Sequence, residues 1–360
     1  MTNLPPTGAP RESNASRVTL KDVARVARVH FSTVSMALRD SPRLTLSNRK
    51  RIREIAERLG YRRDPVMLAL TAQRSNSRVT LRRPRMAFLT NRVSPEDFYS
   101  GAHMRYFLSG AQQQAERMGY TCDLALTGND EMSAEEFERQ LDPSRTDGII
   151  VGAVISDVRL PEVDWSRYAT VKIDSAFILP GAPMIANDQM QTVQTAFQNA
   201  HRLGYRRIGM AVGQIDEENT HDLYAAGCYL SQDRLKLPFV PPLHFRPSES
   251  HATLVSRLAE WVRAQRIEVV LSNWQSARDL LVAARFRVPA DVGYICLNLN
   301  DPDPAVAGVI ANHFEVGQKA AETLALLIKR GLKSPAHAPS ATYVEGVWQD
   351  GASATLRHRR

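Results

Sequence analysis

The chain has 360 residues, 43% of them apolar, with 46 Lys+Arg against 38 Asp+Glu and a net charge of +8. That length suits two or three domains, and that apolar content is typical of a globular protein in water. No run of 18 apolar residues occurs, which argues against a helical membrane span, and three scattered cysteines fit reduced thiols better than a disulfide framework or metal cage.

Residues 1–16 are polar and rich in Pro, Ser and Asn, lack the apolar core of a signal peptide, and are expected to form a disordered arm. Residues 17–63 read as a three-helix unit. Thr19 is placed to cap a first helix, with Asp22 three residues on as an acidic capping-box partner. Val23, Ala24 and Ala27 recur on one face. A break at Arg28-Val29 leads to a second helix from about His30, with Val34 and Leu38 inward and Phe31, Ser32, Ser35 and Met36 outward. A third helix is expected over 46–59, with Ile52, Ile55 and Leu59 as its apolar stripe and Gly60 at the C-cap. Two short helices with small residues at their crossing make a helix-turn-helix, whose second helix can enter a DNA major groove.

Charge supports this reading independently. Residues 1–85 hold 19 Lys+Arg against 6 Asp+Glu, a net of +13, which leaves −5 for residues 86–360. Concentrated positive charge is the footprint of a surface that neutralises phosphates and releases counterions.

Residues 64–74 can form a short helix, with Asp64 as N-cap and Pro65 at the first position. Residues 75–85 are a polar, basic linker. From Met86 strands and helices alternate. Strands are expected at 86–90, 120–126, 148–154, 170–173, 207–212, 269–272 and 292–297. Helices are expected at 106–118, 135–141, 189–203, 252–264, 275–284 and 315–329. Such alternation implies parallel sheets with helices on both faces, and ligands bind such units in the crevice at the strand carboxyl ends.

The pattern V-T-L-K-D-V-A-x-x-A-x-V-x-x-x-T-V-S-x-A-L, continued by Arg49 and by Leu59-Gly60-Tyr61, resembles the lac-repressor (LacI/GalR) family of bacterial transcription regulators. Looser matches follow at Ile185-Ala186-Asn187-Asp188, 203–208, 289–293, 315–317 and 344–348. The resemblance implies an N-terminal all-α helix-turn-helix plus hinge helix, joined to an α/β two-lobed periplasmic-binding-protein-like effector domain over 86–360. It also implies a homodimer on a palindromic double-stranded DNA operator, since one recognition helix reads few base pairs and a twofold dimer reads two half-sites.

Site residues follow partly from chemistry and partly from the resemblance. Phe31 can meet a thymine methyl, and Ser32 can bond to several bases. Met36 stands where many family members carry an arginine, so it cannot grip guanine with two hydrogen bonds. His30 replaces a capping Ser and is either a phosphate contact or an ordinary surface histidine. Thr19, Thr33, Ser35, Arg39, Arg43, Thr45, Asn48, Arg49 and Tyr61 match the family's DNA-backbone surface; the alternative for Arg49 is a solvated face charge. Leu70 falls at the position of the family's minor-groove wedge, although Pro65 sits two places later than the usual hinge proline; the alternative is a linker helix packed on the next domain.

The effector pocket departs from the family. Tyr224 replaces a sugar-gripping arginine, and Trp274, after Asn273, replaces an aspartate. Trp274 can stack on a sugar ring or plug the cleft. Asn298 is a further polar group at a strand end. The implied effector is a small molecule, a sugar or sugar derivative. No P-loop, dinucleotide fingerprint, His-Glu-x-x-His or Gly-x-Ser-x-Gly element occurs, so no catalytic residue, metal or cofactor is expected. The expected setting is the cytoplasm, at the nucleoid and away from membranes. The rival reading is a soluble carbohydrate-binding protein without a regulatory role.

Overall fold

The computed structural model describes residues 20–38, 44–59, 84–128, 133–142, 145–152, 164–174, 181–246, 248–334 and 339–357. These fall into two compact units divided after Arg82. The arm 1–16, the hinge 64–74 and most of the linker lie outside the described residues.

The first unit is three helices: α1 (Leu20–Ala27), α2 (Phe31–Leu38) and α3 (Leu46–Arg58). Val23, Val34, Ala37 and Ile52 are fully buried at their meeting point, with Ala24, Ala27, Ile55 and Ala56 around them. The small alanines let the helices approach closely. Arg28, at φ 52°, makes the reversal between α1 and α2. That left-handed conformation costs a non-glycine residue about 1 kcal/mol, offset here by packing on both sides of the turn.

The second unit is an α/β structure of two six-stranded sheets. The first lobe begins with β1 (Arg85–Thr90), α4 (Pro95–Ser100), α5 (Ala102–Arg117), β2 (Thr121–Leu126), α6 (Ala134–Leu141), β3 (Thr146–Val151), β4 (Ala169–Ile173) and β5 (Met184–Asn187). The second lobe holds α7 (Gln189–Arg202), β6 (Ile208–Gly213), α8 (Gln214–Asn219), α9 (Leu223–Arg234), β7 (Leu243–Phe245), α10 (His251–Ala264), β8 (Val269–Ser272), α11 (Ala277–Ala283), β9 (Gly293–Leu299) and β10 (Ala307–Ile310). The chain then returns: α12 (His313–Arg330) packs on α5 and on β3, β4 and β5. Finally β11 (Ala341–Val344) joins the first sheet and β12 (Val347–Gln349) the second.

Strand orders are β11-β5-β4-β3-β1-β2 and β12-β10-β9-β8-β6-β7. All pairings are parallel except β10 with β12. Buried side chains cover both faces of each sheet, as parallel strands require. In the first lobe Phe88, Phe107, Val171 and Leu324 fill one face and Leu89, Phe137, Ile149 and Tyr168 the other. In the second, Phe197, Met210 and Leu271 oppose Phe245, Leu258 and Val270. Helix starts carry their caps: Ser94 accepts from Asp97 N (3.1 Å), Asp188 from Gln191 N (2.8 Å) and Ser250 from Thr253 N (3.2 Å), while Ser133 and Glu136 form a reciprocal capping box.

The chain therefore crosses between lobes three times, at Asn187-Asp188, at Ala311-Asn312 and at Glu345-Gly346. The crossings are bonded to one another. Asp188 N donates to Val344 O (2.9 Å), Asn312 Nδ2 to Glu345 O (2.8 Å) and Asn187 Nδ2 to Ala311 O.

Candidate DNA-reading unit and effector cleft

His30 opens α2: its carbonyl accepts from Thr33 N (2.9 Å) and Val34 N (3.3 Å). Phe31, one residue on, is 49% exposed, with its ring tilted against the exposed His30 at 4.3 Å. An aromatic left in solvent at a helix start carries a cost in apolar exposure, and it is the residue expected to meet a base edge. Thr33 and Met36 are half-buried, so Met36 turns less outward than its spacing predicts. Ser32 and Ser35 lie on α2.

Thr45 stands at the start of α3, where its hydroxyl oxygen accepts from Asn48 N at 3.4 Å, a loose N-cap. Asn48 is exposed, whereas Arg49 is half-buried rather than a fully solvated face charge. Sequence reasoning missed Arg51, whose guanidinium donates to the Ala27 carbonyl (3.2 Å) and so ties α3 to the end of α1. Thr19, Arg39, Arg43, Tyr61 and Leu70 lie outside the described residues.

In the second unit an open cleft lies between the lobes at the strand carboxyl ends. Tyr224, Asn273 and Asn298 line it, as the sequence places them. Trp274 does not. Its indole packs on Phe245 (4.9 Å) within the core of the second lobe, and its Nε1 donates to Asp216 Oδ2 (3.1 Å). Of the two readings left open, neither a stacking platform nor a plug describes it; Trp274 braces a carboxylate from behind. Asn273 Nδ2 donates to the same oxygen (2.7 Å), and its Oδ1 accepts from Gly213 N (3.2 Å).

Sequence reasoning missed the charged groups of the cleft. Asp174 follows β4 and Asp216 sits in the first turn of α8, so each lobe contributes one carboxylate to the lining. Asp174 Oδ1 accepts from Asn187 N (3.1 Å) and Gln189 Nε2 (3.4 Å). Burial pushes its carboxyl up to about 7. Glu217, on the buried face of α8, is likewise pushed up to about 7 by burial and accepts from Ala225 N (2.7 Å), which fastens α8 to α9.

Two histidines complete the site. His313, the first residue of α12, bridges the lobes: its Nδ1 meets Asn187 Oδ1 (2.9 Å) and its Nε2 meets Asn298 Oδ1 (2.8 Å). Burial pushes His313 down to about 3, so the ring is neutral and its single N–H donates to only one of these two amide oxygens. His103 of α5 stands 5.7 Å from it and is also lowered by burial, with Asp216 acting in the opposite sense. Both rings of this pair are neutral near pH 7. A second pocket shares Asp174 and Gln189 with the cleft, and there Met184, Ala186, Leu223 and Tyr343 add apolar surface.

A helix-turn-helix joined to a two-lobed ligand-binding fold defines a class: DNA-binding regulators that read a small molecule. Residues 19–64 match the family model described as bacterial regulatory proteins, lacI family. Catabolite control protein A of Staphylococcus epidermidis is 24% identical over 313 residues, which cover 83% of this chain and 89% of that protein. Several other curated regulators match over little more than half of their own length. Among solved structures, a transcriptional regulator CelR–cellobiose complex aligns with a TM-score of 0.59 at 18% identity, over 94% of this chain and all of that one. A Lac repressor bound to ONPG aligns with a TM-score of 0.55 at 14% identity and the same coverage. Residues 19–64 thus carry the DNA-binding domain of the lacI family of bacterial regulatory proteins, and the chain as a whole is similar to regulators of that kind. Among the described residues no helix is long and apolar enough to cross a membrane.

Proposed function

We propose that this regulator acts as a ligand-responsive repressor of carbohydrate-related genes, held on a palindromic operator as a homodimer in the cytoplasm, and that it has no catalytic activity of its own. The observation that carries the reading is the pairing of a positively charged helical unit, with Phe31 exposed at the start of α2, to an interlobe cleft lined by polar groups of both lobes. The relatives support it, since the complexes of similar fold are a cellobiose complex and an ONPG complex of repressors or regulators. In this reading His30, Phe31, Thr33, Met36, Thr45, Asn48 and Arg49 face DNA, together with Thr19, Ser32, Ser35, Arg39, Arg43 and Tyr61, and Leu70 wedges the operator centre. Tyr224, Asn273 and Asn298 contact the effector, with Trp274 acting through Asp216. Ligand binding shifts the equilibrium between lobe arrangements, and the hinge responds.

Selection from a random duplex library followed by a gel-shift titration tests this. The selected sequences are expected to share a palindrome, and Phe31→Ala is expected to weaken the selected site by tenfold or more, about 1.4 kcal/mol, with little change on random DNA. Selection that yields no common sequence would sink the reading in favour of the rival, a carbohydrate-binding protein without a regulatory role.

A further inference from the structure

We infer that the cleft is built for a protonated amine carried on a hydroxyl-rich molecule of sugar size, the amino-sugar or aminocyclitol class, rather than for a neutral or anionic sugar. The inference rests on the reading of this cleft as the effector site.

The argument starts from the lining. Asp174 and Asp216 enter from opposite lobes, close enough that the charge of Asp216 is felt at Asp174. Among the described residues the lining contains no Lys or Arg. Arg92, whose charge reaches His103, lies outside the lining and is held by Asp97 at 3.1 Å. Both histidines are neutral. Two carboxylates thus converge on a partly enclosed space with no cation of the described residues in its lining. A buried carboxylate without a compensating charge is costly, so the ligand is the natural source of that charge.

Each carboxylate also keeps an oxygen in hand. The hydrogen bonds of Asp174 go to Oδ1 and those of Asp216 to Oδ2, and among the described residues Asp174 Oδ2 and Asp216 Oδ1 accept none. Asn273 and Trp274 hold Asp216 in place from one side, which leaves its other oxygen for a ligand donor. The remaining polar groups are amides and hydroxyls: Asn187, Gln189, Thr192, Asn219, Thr220 and Asn298. These suit ring hydroxyls. An anionic ligand would meet two like charges and no clamp, which selects against sugar acids and sugar phosphates by repulsion as much as by lack of contact.

The groups facing Asp174 are Asn187 and Gln189 at hydrogen-bond distance, Asp216 and Tyr224 across the cleft, and the neutral pair His103 and His313 in the same lining. A cation placed there favours the ionised carboxyl, so binding below neutral pH releases a proton from Asp174.

Calorimetric titration of the full-length protein tests this with matched probes: glucosamine, galactosamine and streptamine against glucose, galactose, gluconate and glucose 6-phosphate. At least one amine is expected to bind tenfold or more tightly than its neutral and anionic counterparts. Its affinity is expected to rise roughly tenfold between about pH 5.5 and pH 7 as Asp174 ionises, with proton release seen as a dependence of the heat on the buffer. Asp174→Asn and Asp216→Asn, each checked for fold by circular dichroism, are expected to erase the preference for the amine. A neutral or anionic probe that binds as tightly as its amine counterpart overturns the assignment, and so does silence of every amine at millimolar concentration. The operator gel shift on the same preparation separates the two ideas. Failure there tells against the repressor reading, while loss of charge discrimination with operator binding intact tells only against the amine.

Discussion

The hydroxyl of Tyr106, on α5 of the first lobe, donates to the carboxylate of Asp301, in the loop beyond β9 of the second. Arg105 lies over the same ring at 5.0 Å. This bond spans the two lobes away from the three crossings, so it can form only when they stand near each other. Tyr106→Phe removes it and keeps the ring. An exposed bond of this kind is worth about 1 kcal/mol, or roughly fivefold in the ratio of closed to open forms. The variant is expected to keep its unfolding midpoint, to show a larger radius of gyration in solution scattering, and to bind any cleft ligand a few-fold more weakly. Unchanged scattering and unchanged ligand affinity together would mean that the bond does not govern closure.

Trp274→Phe addresses the brace behind Asp216. Phenylalanine retains the packing on Phe245 but cannot donate to Asp216 Oδ2. Stability is expected to fall by about 1 kcal/mol, while affinity for a cleft ligand falls by fivefold or more. In the wild type, tryptophan emission is expected to change on ligand binding even though Trp274 is absent from the lining. A variant with wild-type affinity would show that Asn273 alone positions Asp216.

The close crossing of α5 and α12 depends on two glycines. A side chain at Gly110 would run into the carbonyl of Phe314, and one at Gly317 into the carbonyl of Phe107. Gly317→Ala is therefore expected to cost about 1–3 kcal/mol through overpacking, read as a lower urea midpoint with an unchanged slope. A midpoint equal to that of the wild type would show that the helices separate freely.

Buried titratable groups set the pH dependence of the ligand-free protein. Asp174 is raised by burial to about 7, so its favourable contribution is present at low pH and is lost as pH rises from the ordinary carboxylate range through 7. Asp174→Asn is accordingly expected to be more stable than the wild type by about 1–2 kcal/mol at pH 8 and to have no advantage near pH 4. An equal gain at both pH values would assign the effect to packing. His313 acts in the opposite direction: lowered by burial to about 3, it contributes fully above its ordinary value of 6.5 and loses that contribution as pH falls towards 3. His313→Gln should flatten the acid limb of the stability profile.

Much of the fold was legible because its signals are local. The helices of the first unit follow from alanine and valine spacing, and the central strands β1, β4, β6, β8 and β9 are apolar runs. What escaped has a common physical cause. In α9 the buried face includes Ser231 and Gln232, satisfied by Gly227 O (2.7 Å) and by both backbone groups of Val240 (2.9 and 3.1 Å), so no apolar stripe marks the helix. The edge strands β11 and β12 carry largely exposed or half-buried residues and show no alternation. At the cleft, Tyr224, Asn273 and Asn298 were found through their places in a family pattern. Asp174 and Asp216 were not, because they lie 42 positions apart, one after a strand and one in a short helix, and meet only through the packing of two sheets.

The order of strands in the two sheets has a consequence for synthesis. The first lobe draws on residues 85–187, then on α12, then on β11, and the second sheet takes its last strand from β12. Neither sheet can close its final edge until residues 341–349 have left the ribosome. Both lobes therefore mature together once that segment is made, and a nascent chain halted before that point exposes two unfinished sheets at once.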